Sequence, residues 1–320
     1  MEIIFSSVIR SSKKGNAHGG LYRLDLDSKD FNLLMSWDSP NINWEGRGGE
    51  RGLRGIAKFK KQIIVASNDS IHFLNSEFEI SETFTHELLK DCHEIYCYQN
   101  DLYITSTGYN LILVLNMDTK IWSHGFQLKH ILYKNKITRK LLYNFKFISS
   151  LFPFNLKRID LSKKNHITYD DIFHINNVFV DKTGIYLSGT GLSYLLRFNN
   201  KKLSKHCNVP LGTHNCMPYD RDSVIYNDTV NGRCIIKSIL DDSIIKIIDW
   251  THLLKEANIT ESMNVARNNF NRGLELTNNR IVIGTSPASI IVVNRHDYTV
   301  DKIINISEDI RNAIHGIQAI

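Results

Sequence analysis

The chain has 320 residues, 42% of them hydrophobic, with 5 Pro, 5 Cys and a formal net charge of +6. That composition supports one large folded domain or two ordinary ones and excludes a disordered chain. No run of 18 apolar residues occurs, which excludes a membrane-spanning helix, and five scattered cysteines exclude a disulfide framework.

The first residues, MEIIFSSVIRSSKKG, do not read as a signal peptide. The apolar run is short, the basic residues follow it, and no small-residue cleavage site appears. A cytoplasmic protein with reduced thiols is the simplest expectation.

Further along, one pattern recurs. Six apolar runs end in small polar residues: IIFSSV (3–8), IIVASN (63–68), LYITST (102–107), IYLSGT (185–190), VIYNDT (224–229) and IVIGTS (281–286). β-Branched and aromatic residues running into small polar ones predict a strand entering a turn. A further apolar run follows each, mostly closing on Asn or Asp, a turn signal. A strand also precedes five of the six, at a spacing of nine or ten residues. Those strands begin at Arg54, His93, Asn176, His214 and Arg272; a sixth, at His315, has no partner after it. The first run, at residues 3–8, has none before it. A circle in which the last strand completes the first repeat resolves both, and predicts an all-β, six-bladed β-propeller as a single domain over 1–320.

The anchors are separated by 39, 83, 38, 58 and 43 residues. About 40 residues make a four-stranded blade, so the two long intervals carry insertions. Residues 127–170 lack an anchor, which argues against a seventh blade, and KHILYKNKITRKLLYNFKFISSLF predicts a helical insertion. DWTHLLKEANI (249–259) predicts a second helix, capped by Asp249 or Thr251.

The charge is confined to the first insertion. Residues 127–166 hold ten Lys or Arg and one acidic residue, Asp160, a net +9 that leaves −3 for the remainder. Tyr133, Tyr143, Phe145, Phe147, Phe152 and Phe154 lie among the cations. The segment reads either as a solvated amphipathic cap or, functionally, as a lid or a docking surface for a membrane or another acidic partner. No nucleic-acid motif is present.

In a propeller the first strand of each blade lies nearest the axis, so six anchors at one register converge on one mouth of the channel. The following positions add Glu94, Asn177 and Asn215; His174 and Arg51 lie close by in sequence. Buried polar groups are costly unless paired, so such a ring is a self-satisfied plug or a ligand site. His93, His174, His214 and His315 are candidate ligands for a divalent metal (Fe, Zn, Ca or Mn), with Glu94, Asn177 and Asn215 the set for a harder cation. Arg51, Arg54 and Arg272, with Asn176, Asn177 and Asn215, are candidates to bind a small anionic substrate. His93, Glu94 and His214 are the candidate catalytic acids and bases of a hydrolase or lyase. The alternative is a non-catalytic propeller holding a sugar, nucleotide or anion. Gly46 to Gly52 reads either as an anion-cradling entry loop over the channel, with Arg47 and Arg51 facing an anion, or as a solvated loop. Cys92 reads as an inert buried thiol.

The repeat resembles six-bladed propellers of the gluconolactonase, strictosidine-synthase and NHL-like type. RGLRGI (51–56), KDCHEI (90–95), TSTGYN (105–110), HINNV (174–178), GTHN (212–215), NDT (227–229), RGL (272–274) and RNAIHG (311–316) resemble an uncharacterised family of bacterial propeller proteins. The gluconolactonase likeness implies a divalent metal held at the axis by Glu94, Asn177 and Asn215. The departure is the added His and Arg, with no axial Asp. A four-His site would be more similar to the iron site of carotenoid-oxygenase propellers, which have seven blades and an apolar tunnel not signalled here.

Overall fold

The computed structural model describes residues 1–46, 48–130, 132, 137–138, 153–253 and 267–320. Among them six antiparallel sheets form six blades. The inner strands are Asn312–Ala319 (blade 1), Ile56–Phe59 (blade 2), Ile95–Tyr98 (blade 3), Ile175–Asp181 (blade 4), His214–Pro218 (blade 5) and Leu274–Leu276 (blade 6). Four start at or two residues after the predicted anchor; those of blades 1 and 4 start three and one residues before theirs. Blade 1 closes the circle as expected: Asn312–Ala319 lies beside Glu2–Ile9, with Ile3 opposite Ala319 and Ile9 opposite Asn312.

The second strands read as continuous apolar runs because both their faces are covered. Ile3 to Val8 is buried throughout, since each blade packs against two neighbours and leaves neither face to water. Between blades 2 and 3, Ile64, Ile71 and Phe73 meet Leu102, Ile104 and Leu113. Between blades 5 and 6, Ile225, Ile236 and Trp250 meet Ile281, Ile283 and Ile291.

Near the axis the inner strands approach closely. Gly55 shows why its position carries no side chain: a Cβ there would lie 2.7 Å from Glu94 Cα and 2.6 Å from Ile95 N, backbone of the adjoining blade. The Gly55 N–H donates to the His93 carbonyl across that gap (2.8 Å).

Blade 3 differs from the helical expectation. Residues 127–130 belong to the strand Trp122–His130, and Phe154–Asp160 forms a fifth strand beside it. The reason is a period of two that the helical pattern masks: Phe126, Leu128 and His130 alternate inward, and Leu156 is buried on the partner strand. Residues 131, 133–136 and 139–152, the rest of the expected helix, lie outside the described residues. Of the second expected helix, Thr251–Leu253 is a single 3-10 turn, with Asp249 accepting from the Thr251 N–H (2.9 Å) and hydroxyl (2.6 Å); residues 254–266 also lie outside. Among the described residues no helix is long and apolar enough to cross a membrane.

Candidate functional site at the channel mouth

The anchors meet at the axis. The proof is in contacts that skip a blade. The rings of His93 (blade 3) and His315 (blade 1) have centroids 5.6 Å apart. Asn215 Nδ2 of blade 5 donates to Glu94 Oε1 of blade 3 at 3.0 Å, and the same oxygen lies 4.0 Å from His315 Nδ1. His174 joins the group edge-on, 4.8 Å from the His93 centroid.

Local backbone irregularity aims these side chains. At the anchor step the ladder breaks: register shifts fall between Ile175 and Asn177, between His214 and Met217, and between Phe5 and Ser7. A side chain of the second strand fills the break. In blade 3 the Thr105 hydroxyl accepts the N–H of His93 (3.0 Å) and of Glu94 (2.9 Å). In blade 5 Asn215 takes a left-handed φ of 48°. Bulges of this kind re-aim a side chain at the cost of one ladder bond.

His93 and His214 have matching surroundings. His93 Nδ1 is 2.8 Å from the Asp91 carbonyl and 2.9 Å from Thr107 Oγ1. His214 Nδ1 is 3.1 Å from the Gly212 carbonyl and 3.0 Å from Thr229 Oγ1. A carbonyl can only accept, so each Nδ1 carries the proton and each Nε2 keeps its lone pair. His214 Nε2 is buried without a partner, as are both ring nitrogens of His315, Arg54 Nε and Asn176 Oδ1. His174 Nδ1 faces Asp171 Oδ1 at 3.0 Å, a carboxylate that orients the ring.

The field around these imidazoles is positive. Burial first, then His174 and Arg54, keeps His93 well below the ordinary imidazole range; burial, then Arg272 and Arg54, does so for His315, and burial and Arg272 for His214. All three are neutral at pH 7. Arg54 is buried and gives Nη1 to the Cys92 carbonyl (2.8 Å) and Nη2 to the Gly49 carbonyl. Phe270 was not singled out from sequence, yet it organises the far side. The guanidinium carbons of Arg10, Arg267 and Arg272 lie 4.7, 5.0 and 4.8 Å from its ring centroid, and His214 packs against it edge-on at 5.5 Å.

One residue farther along the strands, the channel changes character. A cavity of ≈390 Å³ is lined by Glu94, Asn177 and Asn215, then by Tyr96, Phe179 and Glu275 among others. Burial pushes the Glu94 carboxyl up to about 8 and that of Glu275 up to about 7.

Not every candidate reaches the mouth. Arg51 donates Nε to the Ser12 carbonyl (3.1 Å), Nη1 to Gly46 (3.2 Å) and Nη2 to Trp44 (2.8 Å). Those bonds brace the Gly46–Gly52 turn, so Arg51 is a strut rather than a substrate-facing fork. Arg47 lies outside the described residues. Asn176 gives its Nδ2 to the Thr213 carbonyl (3.2 Å) and Asn177 to that of Cys216 (2.7 Å). Cys92 is inert as read: burial lifts its thiol to about 12.

The expected divalent metal fits poorly. Asn215 Oδ1 accepts from the Gly273 N–H (3.0 Å) and from Asn227 Nδ2 (3.2 Å). The backbone donor fixes that atom as oxygen, so the amide shows Glu94 an N–H, not a ligand oxygen. Among the described residues, no three His, Cys, Asp or Glu side chains are grouped to hold a metal ion.

Thr107 and Thr229 were also passed over. Their signal was present: both close a second strand, 14 and 15 residues after the His they support.

The class defined by this architecture is the six-bladed β-propeller. No protein-family model matches the chain, and no curated protein matches it. Solved structures do. A chain of a nidogen/laminin complex aligns with a TM-score of 0.56 at 10% identity, covering 99% of this chain and 97% of that one. A protein of unknown function from Bacteroides caccae aligns with a TM-score of 0.57 at 9% identity, again over 99% and 97%. At such identities the likeness carries the fold alone.

Proposed function

We propose that the channel mouth binds a small carboxylate- or phosphate-bearing molecule and performs acid–base chemistry on it, as a hydrolase or lyase. One observation carries this reading: buried imidazole nitrogens of His214 and His315 lack partners in a positive field. An unsatisfied buried polar atom costs about 1–3 kcal/mol. An anion accepting from His315 N–H and Arg54 Nε–H offsets that cost, and Arg272 adds attraction.

The chemistry follows from the protonation states. The lone pairs on His93 Nε2 and His214 Nε2 accept a proton from water or from a carbon beside the carboxylate. Glu94, protonated at pH 7, supplies one to the departing group. In hydrolysis the water O–H breaks, oxygen adds to the carbonyl carbon, and the leaving group takes the Glu94 proton. In elimination the C–H pair becomes the double bond and the leaving group departs with that proton.

The test has two stages. Inorganic phosphate and acetate are titrated while the imidazole resonances are followed by NMR. Saturable shifts at His93, His214 and His315, weakened at least tenfold by His315→Phe, are expected; unmoved resonances would sink the reading. Turnover is then sought with small esters and hydroxy acids across pH. A rate that falls above about pH 8 in the wild type, and is lost in His93→Gln plus His214→Gln with anion binding still detectable, supports catalysis. Binding without turnover of any of them would make the protein a receptor.

A further inference from the structure

The polarity of the channel reverses along its length, and the reversal constrains what fills it. At the mouth stand Arg54, Arg272 and three neutral imidazoles. In the cavity stand Glu94 and Glu275, on blades 3 and 6, which face each other across a six-fold ring. The cavity's cation among the described lining residues is Lys58, whose side chain is exposed. At the joint sits His315, buried, with both nitrogens unpartnered and Nδ1 4.0 Å from Glu94 Oε1.

We infer that the ligand is dipolar, its anionic group held in the mouth by His315, Arg54 and Arg272 and its ammonium in the cavity by Glu94 and Glu275. This rests on the anion reading above and adds the second half of the molecule. A plain anion would leave the two cavity carboxyls without a ligand cation between them, and a buried carboxyl needs a close one to ionise cheaply. The wall suits an ammonium too: Tyr96 and Phe179 line the cavity with ring centroids 4.8 Å apart, and aromatic faces attract cations. A volume of ≈390 Å³ matches a small-molecule site.

Binding also moves a proton. Glu275 and Glu94 hold theirs up to about 7 and about 8 in the empty channel. An ammonium ionises a carboxyl, so COOH plus R–NH₃⁺ becomes COO⁻ paired with R–NH₃⁺, and one H⁺ leaves to solvent. The titratable and charged groups facing the pair are Lys58, Tyr96, Cys97, Arg272 and His315. Burial raises Tyr96 and Cys97 and lowers His315, so all three stay neutral between pH 6 and 7.

The experiment compares a series of ω-amino acids, glycine to 6-aminohexanoate, with the unsubstituted carboxylates of the same lengths. Calorimetry at pH 6.5 is run in two buffers of different ionisation enthalpy. At the length that spans the joint, the amino acid binds at least tenfold tighter than its carboxylate and releases protons; Glu275→Gln closes the gap. That variant keeps the oxygen that accepts from the Ala319 N–H, and its melting temperature is compared with wild type. Should it unfold, the wild-type series decides alone. Equal affinity of amino acid and carboxylate at every length overturns the dipolar inference while the anion reading stands. Failure of acetate and phosphate to bind overturns both.

Discussion

The mouth and the cavity adjoin along the inner strands, one to three residues apart in sequence, and carry opposite polarity. Both respond to burial in the same way: three imidazoles and two carboxyls move toward their neutral forms. His93, His214 and His315 lose their protons, and Glu94 and Glu275 keep theirs. What remains charged is the arginine set, because guanidinium cannot be neutralised at accessible pH. The lesson is that a channel rich in ionisable residues has its field set by the few that cannot titrate.

The largest effect should come from removing residues 312–320. This deletes the inner strand of blade 1, with His315 at the mouth and Gln318 in the cavity, so both compartments go together. Loss of a cooperative melting transition by circular dichroism is expected; a transition at the wild-type temperature would mean that closure does not hold the two regions in register.

Next is Arg54→Met, which separates the two regions. It strips the donors from the Cys92 and Gly49 carbonyls, at about 1–3 kcal/mol in denaturant unfolding. It also removes a cation that depresses His93 and His315, so their NMR titrations should move up. Equal stability and unmoved imidazoles would show that this arginine does not set the field.

A smaller effect separates them by pH. Glu94 is raised in the folded state, so its contribution is complete below its unfolded value near 4.5 and is lost as pH climbs to about 8. The histidines are lowered, so theirs is present above 6.5 and lost on acidification. From 4.5 to 6.5 the two oppose; from 6.5 to 8 the carboxyls act alone. The melting temperature should fall across that upper window, and Glu94→Gln should flatten the fall. An unchanged slope would mean that the carboxyl ionises normally.

The smallest effect on the axis belongs to the basic segment. Its deletion is best drawn at 131–152, because 127–130 and 154–160 are blade strands. Both compartments should keep their ligand affinities, while co-sedimentation with anionic vesicles should drop. Persisting vesicle binding would point to the arginines of the mouth.

Sequence revealed the fold through a repeat of whole blades, because a strand buried on both faces must be apolar and its turn must be small and polar. It revealed the anchors because their phase recurs. It hid Phe270, whose importance lies in joining its own neighbours Arg267 and Arg272 to Arg10, which is distant in sequence. It hid the role of Arg51, since composition cannot tell a guanidinium that braces carbonyls from one that awaits a ligand. The outer strand Phe154–Asp160 was obscured because a basic, aromatic run also fits a helix.

The blade-skipping contacts carry one more consequence. Glu94 to Asn215 and His93 to His315 are chords across the ring, not links along it. A molecule seated among them would touch side chains from blades 1, 3 and 5 at once. Its binding should then slow amide exchange in the inner strands of all those blades together. Occupancy of ≈390 Å³ would be felt as the rigidity of a whole wheel, much as a hub sets the tension of its spokes.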